Sequence, residues 1–232
     1  MSHLFFRITI ASIFSLFVFN GKRNIEYQPI MNSVQQTETQ NLYAQLHLAD
    51  IGLKKIVYDK AISGWNILKK RNILPKSGLL TIVDFSQSSN SKRLYIIDLE
   101  KAVVVFNTYV AHGRNSGNEF AVSFANTQNS FKSSLGFYVS SQTYIGNHGL
   151  SMCLKGLEKG INDDAETRGI VMHGAVYVSE KFIKNSGRLG RSQGCPAVSQ
   201  ELSKPIINFI KNGSCVYMYY PDVSYRKHSL FG

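Results

Sequence analysis

Acidic residues, cysteine and long apolar runs are all scarce in this 232-residue chain. Fifteen Asp and Glu stand against 26 Lys and Arg, a formal charge of +11, so the balance points to an anionic partner: nucleic acid, a membrane surface or an acidic polymer. No basic run reaches five residues, and aromatic-glycine RNA motifs and paired Cys/His zinc spacings are both missing. Nucleic acid is therefore not an expected partner, whereas general attraction to a negatively charged envelope is. No apolar run reaches the ~20 residues of a comfortable membrane span. The uncharged run Ile8 to Phe19, behind Arg7 and ahead of Lys22-Arg23, suits the apolar core of an export signal over residues 1–20. No small-x-small cleavage site is clear, so a membrane anchor through residues 8–19 stays open. Three cysteines, 153, 195 and 215, cannot all pair, and none follows the apolar run to take a lipid. One disulfide and one free thiol is an allowed arrangement, and the odd thiol is the one to follow.

What is present is a globular composition, 44% hydrophobic and 18% charged, with twelve Tyr and fourteen Phe leaning toward strands. Residues 21–36 read as a polar linker and 37–78 as a helical extension of two helices. The spacing of Leu42, Leu46 and Leu48 predicts a helix from about Thr37 to Leu53. Ile62, Trp65 and Leu68 predict a second from Tyr58 to Arg71, which Pro75 to Gly78 ends. From Leu79 the texture turns to β. Strands are expected at Leu79 to Phe85, Leu94 to Asp98, Val103 to Val110, Gly136 to Val139, Gly169 to Met172 and Cys215 to Tyr220. A helix lies between Ser199 and Lys211, begun either at Ser199 or at Ser203 with Pro205 in its first turn. The main domain is placed at residues 79–222 and a tail at 223–232, in a mainly β (α+β) fold.

The chemistry concentrates in Val171-Met172-His173-Gly174 and Gly190-Arg191-Ser192-Gln193-Gly194-Cys195-Pro196-Ala197. A thiol nucleophile needs partial exposure, a neighbour to take its proton, and N–H donors aimed at the developing oxyanion. Gly194 permits positive φ and close approach, and Pro196 keeps Cys195 out of the α region, so the cysteine sits on a shaped turn. His173 ends an apolar strand, and the separation of 22 positions leaves room for a loop to return Cys195 beside it. The turn and His173 are expected to favour the thiolate. His112 and His148, each before a glycine, are candidates for the cleft or for structural turns. No His-x-His or His-Glu-x-x-His spacing supports a metal, and no cofactor motif appears. Cys215, alternating with Tyr217 and Tyr219, reads as core, and Asp163, Asp164 and Glu166 as a solvated loop.

These segments, with Ala111 to Gly117, Lys132 to Tyr138 and Gly156 to Gly160, resemble the murein L,D-transpeptidase catalytic domain (YkuD-like) family over roughly Leu79 to Asp222. The resemblance implies a β-sandwich or barrel-like domain behind two N-terminal helices, working in the bacterial cell envelope, periplasmic or secreted. It implies a cysteine that attacks the third-residue carbonyl of a peptidoglycan stem tetrapeptide and releases D-Ala. Cys195 would be nucleophile and His173 base, oriented by the Gly174 carbonyl. Gly194 and Cys195 would supply oxyanion N–H groups, and Ser192 would support the turn. The chain departs from the broader family in having Gln193 for a usual His and Ala197 for a usual Arg. Carboxylate recognition is therefore left to Arg114, Arg188 and Arg191. Two other outcomes share these features: an L,D-carboxypeptidase, with water as acceptor, and a non-catalytic wall-binding protein. Oligomeric state is not legible.

Overall fold

The structure, a computed structural model, describes residues 41–229 and Phe231. The expected signal or anchor, the linker and the start of the first helix lie outside the described residues. Residues 41–45 are helical and 46–52 are turns. Of the two helices expected ahead of the sheet, the first is described over residues 41–45, and the second is α1 (Lys55–Lys70). α1 begins almost a turn earlier than its apolar spacing suggested, with Lys54 as an N-cap that makes no side-chain bond. Its buried face, Val57, Tyr58, Ala61, Ile62, Trp65 and Leu68, joins the same core as Leu80 and Ile82. The described part of the expected extension, residues 41–78, therefore contributes to the domain's core rather than forming a separate layer.

The sheet has eight strands: β1 (Leu79–Asp84), β2 (Leu94–Asp98), β3 (Val103–Thr108), β4 (Gly136–Gly146), β5 (Gly149–Gly156), β6 (Val171–Ala175), β7 (Ala197–Ser199) and β8 (Cys215–Tyr219). Their order is β3-β2-β1-β8-β4-β5-β6-β7. Pairing is antiparallel except for β1 with β8 and β6 with β7. Beyond β3 the chain swings to the opposite edge, where the Ala111 N–H donates to the Ala197 carbonyl at 2.8 Å. That bridge brings the two edges of the sheet together and nearly closes it into a barrel. The mainly β, barrel-like expectation holds.

Several elements differ from their expected limits. β4 runs to Gly146 and forms a hairpin with β5, a strand not anticipated although Leu150, Met152 and Leu154 alternate with polar residues. β6 continues through Gly174 to Ala175, because that glycine lets the neighbouring helix lie directly on the strand: an added Cβ would stand 2.7 Å from Ser203 Oγ. Two short helices had no visible period, α2 (Glu180–Ser186) and, in the expected tail, α4 (Val223–His228). Between the two starts left open, α3 (Gln200–Ile210) takes Ser199, whose Oγ accepts from Leu202 N–H at 3.2 Å. Pro205 falls inside α3, which burial of Ile206, Ile207 and Ile210 holds together despite the missing N–H.

Candidate active site

The turn that carries the cysteine is held from three sides. Ser192 Oγ accepts from the Gly194 N–H at 3.0 Å and donates to the Cys195 carbonyl at 2.6 Å. Gly194 has φ +126, a conformation closed to side chains with a Cβ. Its carbonyl accepts from Ser133 Oγ at 2.9 Å, and that hydroxyl accepts from the Gly113 N–H at 3.0 Å. On the other flank, the Ser192 N–H donates to the His112 carbonyl and the Arg114 N–H to the Ser192 carbonyl, at 2.9 and 2.8 Å. The segments around residues 111–117 and 132–134 thus build the turn. The Gly194 N–H, expected to face an oxyanion, is engaged by Ser192. The Cys195 N–H lies beside its own sulfur instead.

His173 arrives from β6. Alternation turns Val171 and His173 to the cleft and Met172 into the core. β6 pairs His173 with Ala197, two residues beyond Cys195, so strand pairing brings imidazole and thiol to one cleft of about 430 Å³. His173 Nδ1 is 2.9 Å from the Gly174 carbonyl. A carbonyl only accepts, so Nδ1 carries the proton and Nε2 is left as the basic nitrogen. His148, from the β4–β5 turn, stacks on the ring, with centroids 4.3 Å apart and planes 21° apart. Burial lowers the His173 pKa, the Gly174 carbonyl opposes this, and His148 pushes it down further.

Cys195 Sγ accepts from the Val171 N–H at 3.5 Å and donates to the Gly169 carbonyl at 3.6 Å. Burial pushes its pKa up, while the Val171 N–H and the Arg168 guanidinium pull the other way. The shifts of thiol and imidazole both favour the neutral forms, so the expected resting thiolate is not what this geometry favours.

Arg114, Arg191, Gln193 and His148 line the cleft as expected, and His112 and Arg188 do not. His112 is sealed in the core, with Nδ1 2.8 Å from the fully buried Arg93 and Nε2 3.3 Å from the Gly117 carbonyl. Burial first, and Arg93 second, push its pKa down to about 3, so it is a neutral strut under the Ala111 bridge. Arg188 Nη1 is turned back to the Leu189 carbonyl at 2.7 Å. The sequence reading missed Tyr144, Tyr177 and above all Arg168, which donates to the carbonyls of Ala125 and Lys132 and the hydroxyls of Ser134 and Ser130. Its one signal is its place three residues before the strand of His173, beside a loop that reads as solvated.

No curated protein matches the sequence. Solved structures similar to it include an L,D-transpeptidase from Mycobacterium smegmatis, at 10% identity and TM-score 0.39, covering 62% of this chain and 59% of that one. The helical cell shape determining protein Pgp2 from Campylobacter jejuni gives 13% and 0.42, covering 62% and 48%. L,D-transpeptidase 3 from Mycobacterium tuberculosis, with a faropenem-derived adduct, gives 12% and 0.38, covering 62% and 60%. The chain spans about half to three fifths of these structures' length. The family profile described as L,D-transpeptidase catalytic domain matches residues 49–219, a stretch that holds all eight strands, the thiol turn and the imidazole. The chain belongs to the L,D-transpeptidase catalytic domain family.

Proposed function

We propose that this cleft performs acyl transfer on tetrapeptide stems of peptidoglycan through a thioester on Cys195, in the cell envelope where that polymer lies. The observation that carries the reading is the meeting of His173 and Cys195 in one cleft, with the proton of the imidazole held on Nδ1 by the Gly174 carbonyl. Because both groups favour their neutral forms, His173 Nε2 takes the thiol proton as sulfur attacks the carbonyl of the third residue. The Cys195 N–H faces the developing oxyanion. The tetrahedral adduct then collapses: the C–N bond to D-Ala breaks, and the proton on Nε2 passes to the departing amine. In the second half, an amine of a neighbouring stem attacks the thioester, His173 takes its proton, the C–S bond breaks, and the thiol is restored. Water in place of the amine yields a shortened stem.

Mass spectrometry of the protein mixed with tetrapeptide muropeptides tests this. The expected result is a thioester on the Cys195 peptide, free D-Ala and cross-linked dimers. Cys195→Ala should abolish all three, and His173→Ala should slow acylation by about 10²- to 10⁴-fold. Tripeptide without dimer would make the protein an L,D-carboxypeptidase. Binding without an adduct, or turnover by Cys195→Ala, would leave only a wall-binding role.

A further inference from the structure

Three arginines face the catalytic cleft, and none of them is in an ion pair among the described residues. Arg114, Arg168 and Arg191 line it, and no lining residue is Asp or Glu. Among the described residues the ion pairs lie elsewhere, at Asp50, Asp59 and Asp98. The hydrogen-bond partners of Arg168 and Arg191 are all neutral, and Asp164, the carboxylate that acts on Arg168 from a distance, is not part of the cleft lining. Arg168 uses both terminal nitrogens on four carbonyl and hydroxyl oxygens and is a fixed wall of the site. Arg191 uses Nη1 on the carbonyls of Arg114 and Gly117 and on Asn118 Oδ1. Arg114 lies over the Phe131 ring, its guanidinium carbon 4.0 Å from the centroid, with its donor fork uncommitted to any acceptor among the described residues.

A guanidinium keeps its charge at any working pH, and a fork pre-set by stacking suits a carboxylate. A carboxamide there brings no charge and turns N–H groups toward N–H groups. Three such charges around about 430 Å³ give the cleft a positive potential that the neutral thiol and imidazole do not offset.

We infer that the cleft selects an acyl donor with at least two free carboxylates, held by Arg114 and Arg191, and rejects the same stem when those carboxyls are carboxamides. The inference deepens the acyl-transfer reading and rests on it, but the positive cleft can be tested apart from it. Iodoacetate and iodoacetamide alkylate Cys195 by one displacement: sulfur bonds to the CH₂ carbon, iodide leaves, and the thiol proton goes to solvent. The two reagents differ only in carboxylate against carboxamide. The iodoacetate-to-iodoacetamide rate ratio at Cys195 should exceed that of free cysteine about tenfold or more at low salt. It should shrink as salt is added. The Arg114→Gln/Arg191→Gln protein should fall back toward the free-cysteine ratio, although the wild-type ratio decides the matter without any variant. Thioester formation from a tetrapeptide with free carboxyls should likewise exceed that from its carboxamide form by about tenfold or more. Equal rates on the two stems, or an alkylation ratio no higher than that of free cysteine, overturn the inference even if thioester forms. A raised ratio with no thioester from either stem leaves the anion site standing and removes the transpeptidase reading.

Discussion

Ser192 shows how much one hydroxyl can hold. It accepts from Gly194 and donates to Cys195, so its removal frees both ends of the turn that aims the sulfur. Ser192→Ala should slow acylation about tenfold or more through misplacement alone. It should cost about 1–3 kcal/mol, because the buried Gly194 N–H loses its partner. Acylation rates set beside melting curves separate the two effects, and wild-type values in both would refute the role given to this residue. The three thiols diverge for equally local reasons. All are free, but Cys215 is sealed in β8, and Cys153 is raised by burial and by Glu166. Only Cys195 opens onto the cleft and has an N–H and a guanidinium drawing its pKa back down. In folded protein, iodoacetamide should label Cys195 first, and the rate should still be climbing with pH at the ordinary thiol pKa, since the net shift is upward. Peptide mapping across pH checks both, and equal labelling of the three would contradict the site.

At the scale of elements, β6 is the piece on which the site turns. Its alternation presents His173 to the cleft, its neighbour β7 leads back to Cys195, and α3 supports it from behind at Gly174. That glycine is not in a positive-φ conformation, so only space opposes a side chain there. The space is absent: a Cβ would meet Ser203 Oγ at 2.7 Å and Gln200 Cα at 3.2 Å. Gly174→Ala should push α3 from the strand, cost about 1–3 kcal/mol and slow turnover by tilting the carbonyl that orients His173. Urea midpoints and turnover numbers should fall together. A stable variant with impaired turnover would place the fault in the imidazole's orientation rather than in packing. Strands rich in β-branched residues, β1 and β2, were legible because propensity and burial agree in them. β5 is masked in the sequence although its period is present, because the glycines at its ends and the histidine before it look like a turn. α2 and α4 are too short to show a helical period, and their caps, Ser179 and Asp222, act in a context that only packing supplies.

For the whole molecule, closure of the sheet decides which charges are buried. The Ala111 bridge carries His112 inward against Arg93, leaving a neutral imidazole beside a buried guanidinium. Burial lowers the Arg93 pKa to about 9, against the pull of Asp84. Unfolded, His112 would take a proton below about pH 6.5, whereas the folded protein resists until about 3. The unfolded state therefore binds more protons in that window, and stability should fall as pH drops through it, by up to about 1.4 kcal/mol per pH unit for this group. His173, also lowered, adds an effect of the same sign. Urea midpoints at about pH 7.5 and about pH 5.5, above the carboxylate range, read this directly, and equal midpoints would rule it out.

The sequence by itself determined the β-rich fold, the cysteine turn and its histidine. Each of these is written in local terms: alternation along strands, glycine where φ must be positive, proline where the chain must leave the helical region. Tertiary structure alone decided which side chains share the cleft. His112, open in the sequence between the cleft and a structural turn, is buried against Arg93 because the sheet closes over both. Arg168 follows a loop that looks solvated and stands in the cleft because the chain from Ala125 to Ser134 folds its carbonyls and hydroxyls around it. Burial of a charge depends on what the rest of the chain brings to it, and no local pattern carries that information.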